Sequence, residues 1–271
     1  MPLTYGFNDA EDYTSMSADE LRAVYSAKAS INPNHSVPTI PPTLSDIHER
    51  TVAHVGERLA HMATYPYQGA LQNFLLGMVG AKRVLEIGTF MGTSAIFFAN
   101  GLQRNGVPGG PDAAGNLPVT ALDISEEYAR IARENFALAG VADYVNLIVG
   151  DARENLASLE GQQFDLVYLD ADKESYKAYY DTILEKNMLS SNGLIIADNT
   201  AFDWTTPFID VLAPVSGDAK ALDVPFSEHP RFYENGKAIH EFNEYVRQDP
   251  RTEVVMLPLF TGITLIRRLN A

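Results

Sequence analysis

Between residues 84 and 197 the chain carries five short apolar runs, at 84–87, 119–122, 145–149, 166–169 and 194–197, with helical periodicity between most of them. Runs this short, rich in Val, Ile and Leu and without strict polar alternation, read as strands buried on both faces. Parallel neighbours need a long crossover, usually a helix. The alternation therefore predicts an α/β fold, a doubly wound, Rossmann-like and mostly parallel sheet flanked by helices. The end of the chain breaks the pattern. Runs at 254–258 and 263–266 are separated by a short turn containing Gly262, which predicts an antiparallel hairpin.

The fourth run shows where the chemistry sits. F-D-L-V-Y-L-D-A-D-K, residues 164–173, passes from Leu166, Val167, Tyr168 and Leu169 directly into Asp170, Asp172 and Lys173, and the next run ends in Asp198 and Asn199. Neighbouring parallel strands lie about 4.8 Å apart, so Asp170, Asp198 and Asn199 are expected to converge above one end of the sheet. An all-oxygen set suits a hard divalent cation: Mg²⁺ first, with Mn²⁺ or Ca²⁺ as alternatives. Strand-end acids also cap helices. Two acidic strand ends in succession favour the cation.

The first strand and turn read V-L-E-I-G-T-F-M-G, containing Glu86, Gly88 and Gly92. The middle glycine of the dinucleotide fingerprint, which lets a pyrophosphate approach the backbone, is replaced by Phe90, arguing against NAD. Asp123 ends the second strand, where an acid can accept hydrogen bonds from ribose hydroxyls. A nucleoside without pyrophosphate fits this turn better.

Composition narrows the partners. A formal charge of −15 over 271 residues gives no basic footprint for nucleic acid and opposes an anionic membrane, leaving a small molecule as the expected partner. The absence of cysteine removes disulfides, thiolate metal sites and cysteine nucleophiles. His35, His48, His54, His61, His229 and His240 show no metal-ligand spacing. The first residues lack a basic start and an apolar core, and no run approaches the ~18 apolar residues of a span, so a cytoplasmic protein is expected.

Residues 1–62 read as an accessory helical arm and 63–271 as the main domain. Ser17 with Glu20 and Asp46 with Glu49 resemble capping boxes, with Pro33, Pro38, Pro41 and Pro42 between them. Val52, Val55, Leu59 and Met62 are expected on one helical face, and Leu71, Phe74, Leu75, Met78 and Val79 on the buried face of a helix over 67–80. Two long loops are expected, 101–118 and 201–236. The second carries Phe202, Trp204, Phe208, Phe226 and Phe232 and is long enough for a lid.

V-L-E-I-G-T-F-M-G-T-S-A, A-L-D-I-S, F-D-L-V-Y-L-D-A-D-K-E-S-Y, I-I-A-D-N-T and L-F-T-G-I-T-L-I-R-R, in this order, closely resemble the cation-dependent O-methyltransferases. That family includes catechol and caffeoyl-CoA O-methyltransferases, and the likeness runs over about residues 62–268. It implies a seven-stranded sheet with an antiparallel last strand, S-adenosylmethionine as methyl donor, a divalent cation and a homodimer. Carried over by position, it implies donor contacts at Thr64, Glu86, Gly88, Ser94, Asp123, Ala152 and Asp172. It also implies cation ligands at Asp170, Asp198 and Asn199, and a substrate-lining Met62. Asp203 stands where plant members have a substrate-contacting Asn, and Phe202 and Trp204 beside it either clamp an aromatic ring or anchor the loop. Ser94 is otherwise an ordinary helix residue, and Asp172 a helix cap. The chain departs from the family at Tyr67 and Gln68, which replace an acidic pair before Gly69, and in its longer 201–236 loop.

A phenol with pKa near 10 is a weak nucleophile at neutral pH. A cation at Asp170 would stabilise the phenolate, and Lys173, three residues on, points back as a general base unless it is a solvated first-turn lysine. The reaction expected is methyl transfer to one hydroxyl of a vicinal dihydroxy aromatic small molecule. A hydroxycinnamoyl-CoA thioester is the alternative acceptor. A third reading, a non-catalytic nucleoside-binding dimerisation module, leaves the retained Asp170, Lys173, Asp198 and Asn199 without a purpose.

Overall fold

The structure, a computed structural model, describes residues 41–60, 62–201 and 230–269. The capping pair Ser17 and Glu20, the linker prolines before Pro41, and Phe202, Asp203 and Trp204 lie outside them.

Seven strands form one sheet: β1 Val84–Ile87, β2 Val119–Asp123, β3 Val145–Val149, β4 Phe164–Leu169, β5 Leu189–Asp198, β6 Thr252–Leu257 and β7 Ile263–Arg268. Their order is β3-β2-β1-β4-β5-β7-β6, with β7 alone running against its neighbours. The expected alternation and terminal hairpin are both present. Residue parity along each strand divides the core in two. Val84, Leu166, Tyr168 and Ile196 join the apolar cluster on one face, while Leu85, Ile87, Val167, Leu169 and Ile195 join that on the other. The central strands are therefore mostly apolar, because both faces are covered, with Glu86 of β1 the buried charged exception among the residues of β1 and β2 that precede the strand ends.

The order reverses beside β1, which pairs in parallel with β2 on one side and β4 on the other. In open α/β sheets the crevice outside the carboxyl ends at such a switch point is where ligands bind. Gly88, at the end of β1, has φ of 90°. A Cβ there would stand 2.2 Å from the backbone oxygen of Asp170, so only glycine lets the two strand ends close to this distance. Asn135 Nδ2 donates to the Met91 carbonyl at 2.9 Å and Arg50 Nε donates to Asn135 Oδ1 at 3.0 Å. The turn after β1 is thereby fastened to helix Glu126–Leu138 and helix Leu44–Val55, whose Ile47 is fully buried in the core.

Several local expectations are corrected. Helix Leu44–Val55 begins before Asp46, because the Leu44 amide already bonds the Pro41 carbonyl at 3.1 Å. Asp46 is a first-turn acid, and Thr43 is the cap position. Gly56, at φ 75°, ends that helix, so Leu59 and Met62 do not continue its face and are exposed. Helix Pro66–Met78 buries Gln68, Gly69, Gln72, Asn73 and Leu76, and exposes Phe74 (66%) and Met78 (70%). The reason is close packing against helix Thr93–Arg104. Gly69 lies on the Phe97 ring and Gly101 on Asn73, an approach that bulkier apolar residues would block. Gly101 is thus helical, and the first long loop starts after Arg104. Residues 230–236 of the second belong to helix Pro230–Gln248, and its residues 202–229 lie outside the described ones. Among the described residues no helix is long and apolar enough to cross a membrane.

Gly88→Ala is expected to lower Tm by more than about 8 °C, since both positive φ and a backbone clash oppose it. Gly80, at φ 62° with open space around it, serves as the control, and Gly80→Ala is expected to cost about 2–6 °C. Equal shifts in thermal melts would reject the close-approach explanation.

Candidate active site

Leu169 pairs with Ala197 across β4 and β5, so Asp170 and Asp198 follow side by side. Asp198 is buried at the end of β5. Its Oδ2 accepts from Gln68 Nε2 at 2.6 Å and from the Tyr168 hydroxyl at 2.6 Å, and its Oδ1 accepts from the Asn199 backbone N–H at 2.7 Å. Asn199 has φ of 57°, tolerable for Asn, and its Nδ2 donates to Thr261 Oγ1 at 2.5 Å, which leaves the amide oxygen as an acceptor.

Asp170 Oδ1 accepts from Lys173 Nζ at 3.1 Å. Burial pushes the Asp170 carboxyl up to about 7; Lys173 pulls against this, and the neighbouring Asp198 charge adds to it. Burial raises the Tyr168 hydroxyl as well, so it stays a donor. Lys173, 8% exposed, also donates to the Tyr176 hydroxyl at 2.8 Å. That hydroxyl lies 3.0 Å from the carbonyls of both Leu169 and Asp198. The lysine is therefore held over the two strand ends and is not a solvated first-turn residue.

The donor set fits a hard cation on chemical grounds. Two adjacent carboxylates, Asp198 buried and Asp170 part-buried, repel one another, which a divalent ion would relieve, and the Asn199 amide oxygen is a third hard ligand. Among the described residues no group of three or more His, Cys, Asp or Glu side chains is arranged to hold a metal, so such an ion depends on Asn199.

On the other side of Gly88, Asp123 Oδ2 accepts from the backbone N–H groups of Thr89 at 3.1 Å and Phe90 at 2.7 Å, and Oδ1 accepts from that of Ser125 at 2.8 Å. Glu86 is fully buried behind the turn, its Oε2 accepting from Thr89 Oγ1 at 2.6 Å. Burial pushes it up to about 8, against the Ser94 and Thr89 hydroxyls, while its Oε1 has no hydrogen-bond partner. Ser94 is buried in the first turn of helix Thr93–Arg104, and Ala152 opens helix Ala152–Ser158. Thr64 is buried just ahead of helix Pro66–Met78, and Met62 is 52% exposed. Asp172 occupies a cap position without capping; its Oδ1 accepts from the Tyr179 hydroxyl at 2.7 Å.

Gln68 and Tyr168 had no site role in the sequence reading. Tyr168 was legible in part, because it shares a strand face with Asp170 and a buried tyrosine hydroxyl needs a partner. Gln68 was not, since nothing local says which strand its helix crosses. Ile124, directly after Asp123, is 77% exposed at the same sheet end.

A family model described as O-methyltransferase matches residues 34–269. The chain belongs to the O-methyltransferase family. Over 215 residues it is 32% identical to O-methyltransferase hkm8 of Aspergillus hancockii, covering 76% of this chain and 80% of the relative. It is 31% identical to caffeoyl-CoA O-methyltransferase 1 of Eucalyptus globulus, covering 86% and 84%. The SAH-bound Podospora anserina methyltransferase PaMTH1 superposes with a TM-score of 0.75 at 30% identity, covering 94% of this chain and 98% of that one. The Bacillus cereus O-methyltransferase in complex with SAH gives 0.68 at 25% identity, covering 91% and 99%.

Glu86 predicts a pH dependence for this O-methyltransferase. Its folded value of about 8 lies above its ordinary 4.5, so through that window the folded protein holds a proton that the unfolded chain releases. Stability therefore falls as pH rises across it. Glu86→Gln, which keeps an acceptor for Thr89, is expected to match the wild type near pH 5 and to exceed it near pH 8.5 in denaturant unfolding. Parallel pH curves for the two would count against a buried, protonated Glu86.

Proposed function

We propose that this O-methyltransferase moves the methyl group of S-adenosylmethionine to one hydroxyl of a vicinal dihydroxy aromatic small molecule, with a divalent cation, Mg²⁺ first, held by Asp170, Asp198 and Asn199. The observation that carries the reading is the meeting of those three residues with buried Lys173 at one sheet end, beside the Gly88 turn. The donor is supported by PaMTH1 and the Bacillus cereus enzyme, both solved with SAH. Glu86, Gly88, Ser94, Asp123, Ala152 and Asp172 would line its site, with Ile124 offering an apolar surface to the base and Thr64 closing the far side.

When bound, the cation would supply charge stabilisation for the acceptor oxygen as its proton leaves. Lys173, as the neutral amine, takes that proton at Nζ and becomes the ammonium ion. As the oxygen attacks, a carbon–oxygen bond forms, the carbon–sulfur bond breaks, and the positive sulfonium becomes a neutral thioether. Asp170 and the Tyr176 hydroxyl hold Lys173 in position. Met62, with Phe202, Asp203 and Trp204 of the following loop, is proposed to meet the substrate. The Eucalyptus relative favours a second reading, in which the ring is carried on a CoA thioester. Caffeoyl groups also bear two adjacent hydroxyls, so the ring chemistry is common to both readings.

Ortho-dihydroxy aromatics are expected to be methylated with a far higher kcat/KM than matched monophenols, and excess chelator to abolish turnover while leaving donor binding intact. Equal rates for the two acceptors, or full activity in chelator, would reject this reading. Lys173→Met is expected to lower kcat by roughly 10² to 10⁴ with donor affinity unchanged, the range for loss of a general base. A near-normal rate with an unchanged pH profile would remove Lys173 from that role.

We also propose a homodimer. Phe74 and Met78 form an exposed apolar stripe on helix Pro66–Met78. Phe74→Glu is expected to halve the mass measured by light scattering, and a wild type already monomeric would refute the assembly.

A further inference from the structure

Asp198 is hydrogen-bonded unevenly. Each carboxylate oxygen has about two acceptor positions in its plane. Oδ2 uses both, on Gln68 Nε2 at 2.6 Å and the Tyr168 hydroxyl at 2.6 Å, whereas Oδ1 takes one short bond, from the Asn199 backbone N–H at 2.7 Å, and otherwise only a long 3.5 Å contact from Asn199 Nδ2. The two donors also touch each other, Gln68 Nε2 donating to the Tyr168 oxygen at 3.3 Å. That contact sets the direction of the triangle. Tyr168 accepts from Gln68 and has a single proton, which goes to Asp198. The longer 3.4 Å contact to Asp170 Oδ2 is left as a secondary one. Gln68 and Tyr168 are both buried and come from a helix and a strand that meet only in the folded chain.

We propose that Gln68 and Tyr168 are positioning residues that close one oxygen of Asp198, so that this carboxylate offers a cation Oδ1 alone and the site selects Mg²⁺ over Ca²⁺. The proposal rests on the metal-dependent reading above. Its physical basis is the difference between the two ions. Mg²⁺ is small, demands six near-octahedral positions and takes carboxylates through one oxygen; Ca²⁺ is larger, takes six to eight oxygens and readily accepts a carboxylate through both. Tying down Oδ2 denies Ca²⁺ one of its ligands and takes nothing from Mg²⁺. Partners that orient a ligand commonly change metal affinity 10- to 100-fold when removed.

The test is calorimetric titration of the full-length protein, stripped of metal, with MgCl₂ and CaCl₂ separately. The proteins compared are the wild type, Tyr168→Phe, Gln68→Leu and the double variant. The readout is the ratio of the Ca²⁺ to the Mg²⁺ dissociation constant, because general loosening of the site weakens both ions and leaves the ratio alone. The wild type is expected to bind Mg²⁺ more tightly. Tyr168→Phe, which removes one oxygen from an otherwise unchanged ring, is expected to lower the ratio severalfold, and the double variant to lower it about tenfold or more. A ratio unchanged in the double variant, or a wild type that prefers Ca²⁺, overturns the role of the pair while the metal site stands. A wild type that binds neither ion overturns the metal reading, and this proposal with it.

Discussion

Two carboxylates on adjacent strand ends are the constraint around which the site is organised. At the strand spacing of about 4.8 Å, two full negative charges repel by about 3 kcal/mol at an effective dielectric constant near 20. Burial adds to that penalty. The fold answers with donors: Gln68, Tyr168 and the Asn199 amide on Asp198, and Lys173 on Asp170. Tyr176 extends the network beneath Lys173 to two backbone carbonyls. A site assembled in this way is stiff, because each polar group is held by another that is itself buried.

The donor half of the site depends on the same strand ends from the other side. Gly88 lets β1 finish in contact with the Asp170 backbone, and the turn that follows delivers two N–H groups to Asp123. Asp123 therefore has a structural duty at the turn. Asn135 holds the far end of the turn through the Met91 carbonyl, and Arg50 reaches Asn135 from a helix that precedes the whole sheet. In the structure, helix Leu44–Val55 thus packs on the core and is wired to the glycine turn, although its sequence is separated from that turn by two further helices.

Much of the architecture was legible because it rests on local patterns. All seven strands and the antiparallel hairpin followed from short apolar runs, and the convergence of Asp170 with Asp198 from two of those runs that end in acids, since parallel pairing in register leaves little freedom at the strand ends. Helix Pro66–Met78 resisted the same reasoning. Its apolar stripe suggested a buried face, but the small and polar side at Gly69, Gln72 and Asn73 is what packs, because two helix backbones approach closely there.

The sequence by itself determined the sheet, the family and the residue types at the strand ends, because each is written in short stretches whose chemistry is local. Only the tertiary structure decided which groups surround those ends. Gln68 and Asp198 are 130 residues apart, and Tyr168 and Asp198 are 30 apart, yet they share one proton-donor triangle. No periodicity encodes such a contact. It arises from the crossing of one helix over the ends of β4 and β5, which close packing against Phe97 and the burial of both sheet faces impose on the chain as a whole.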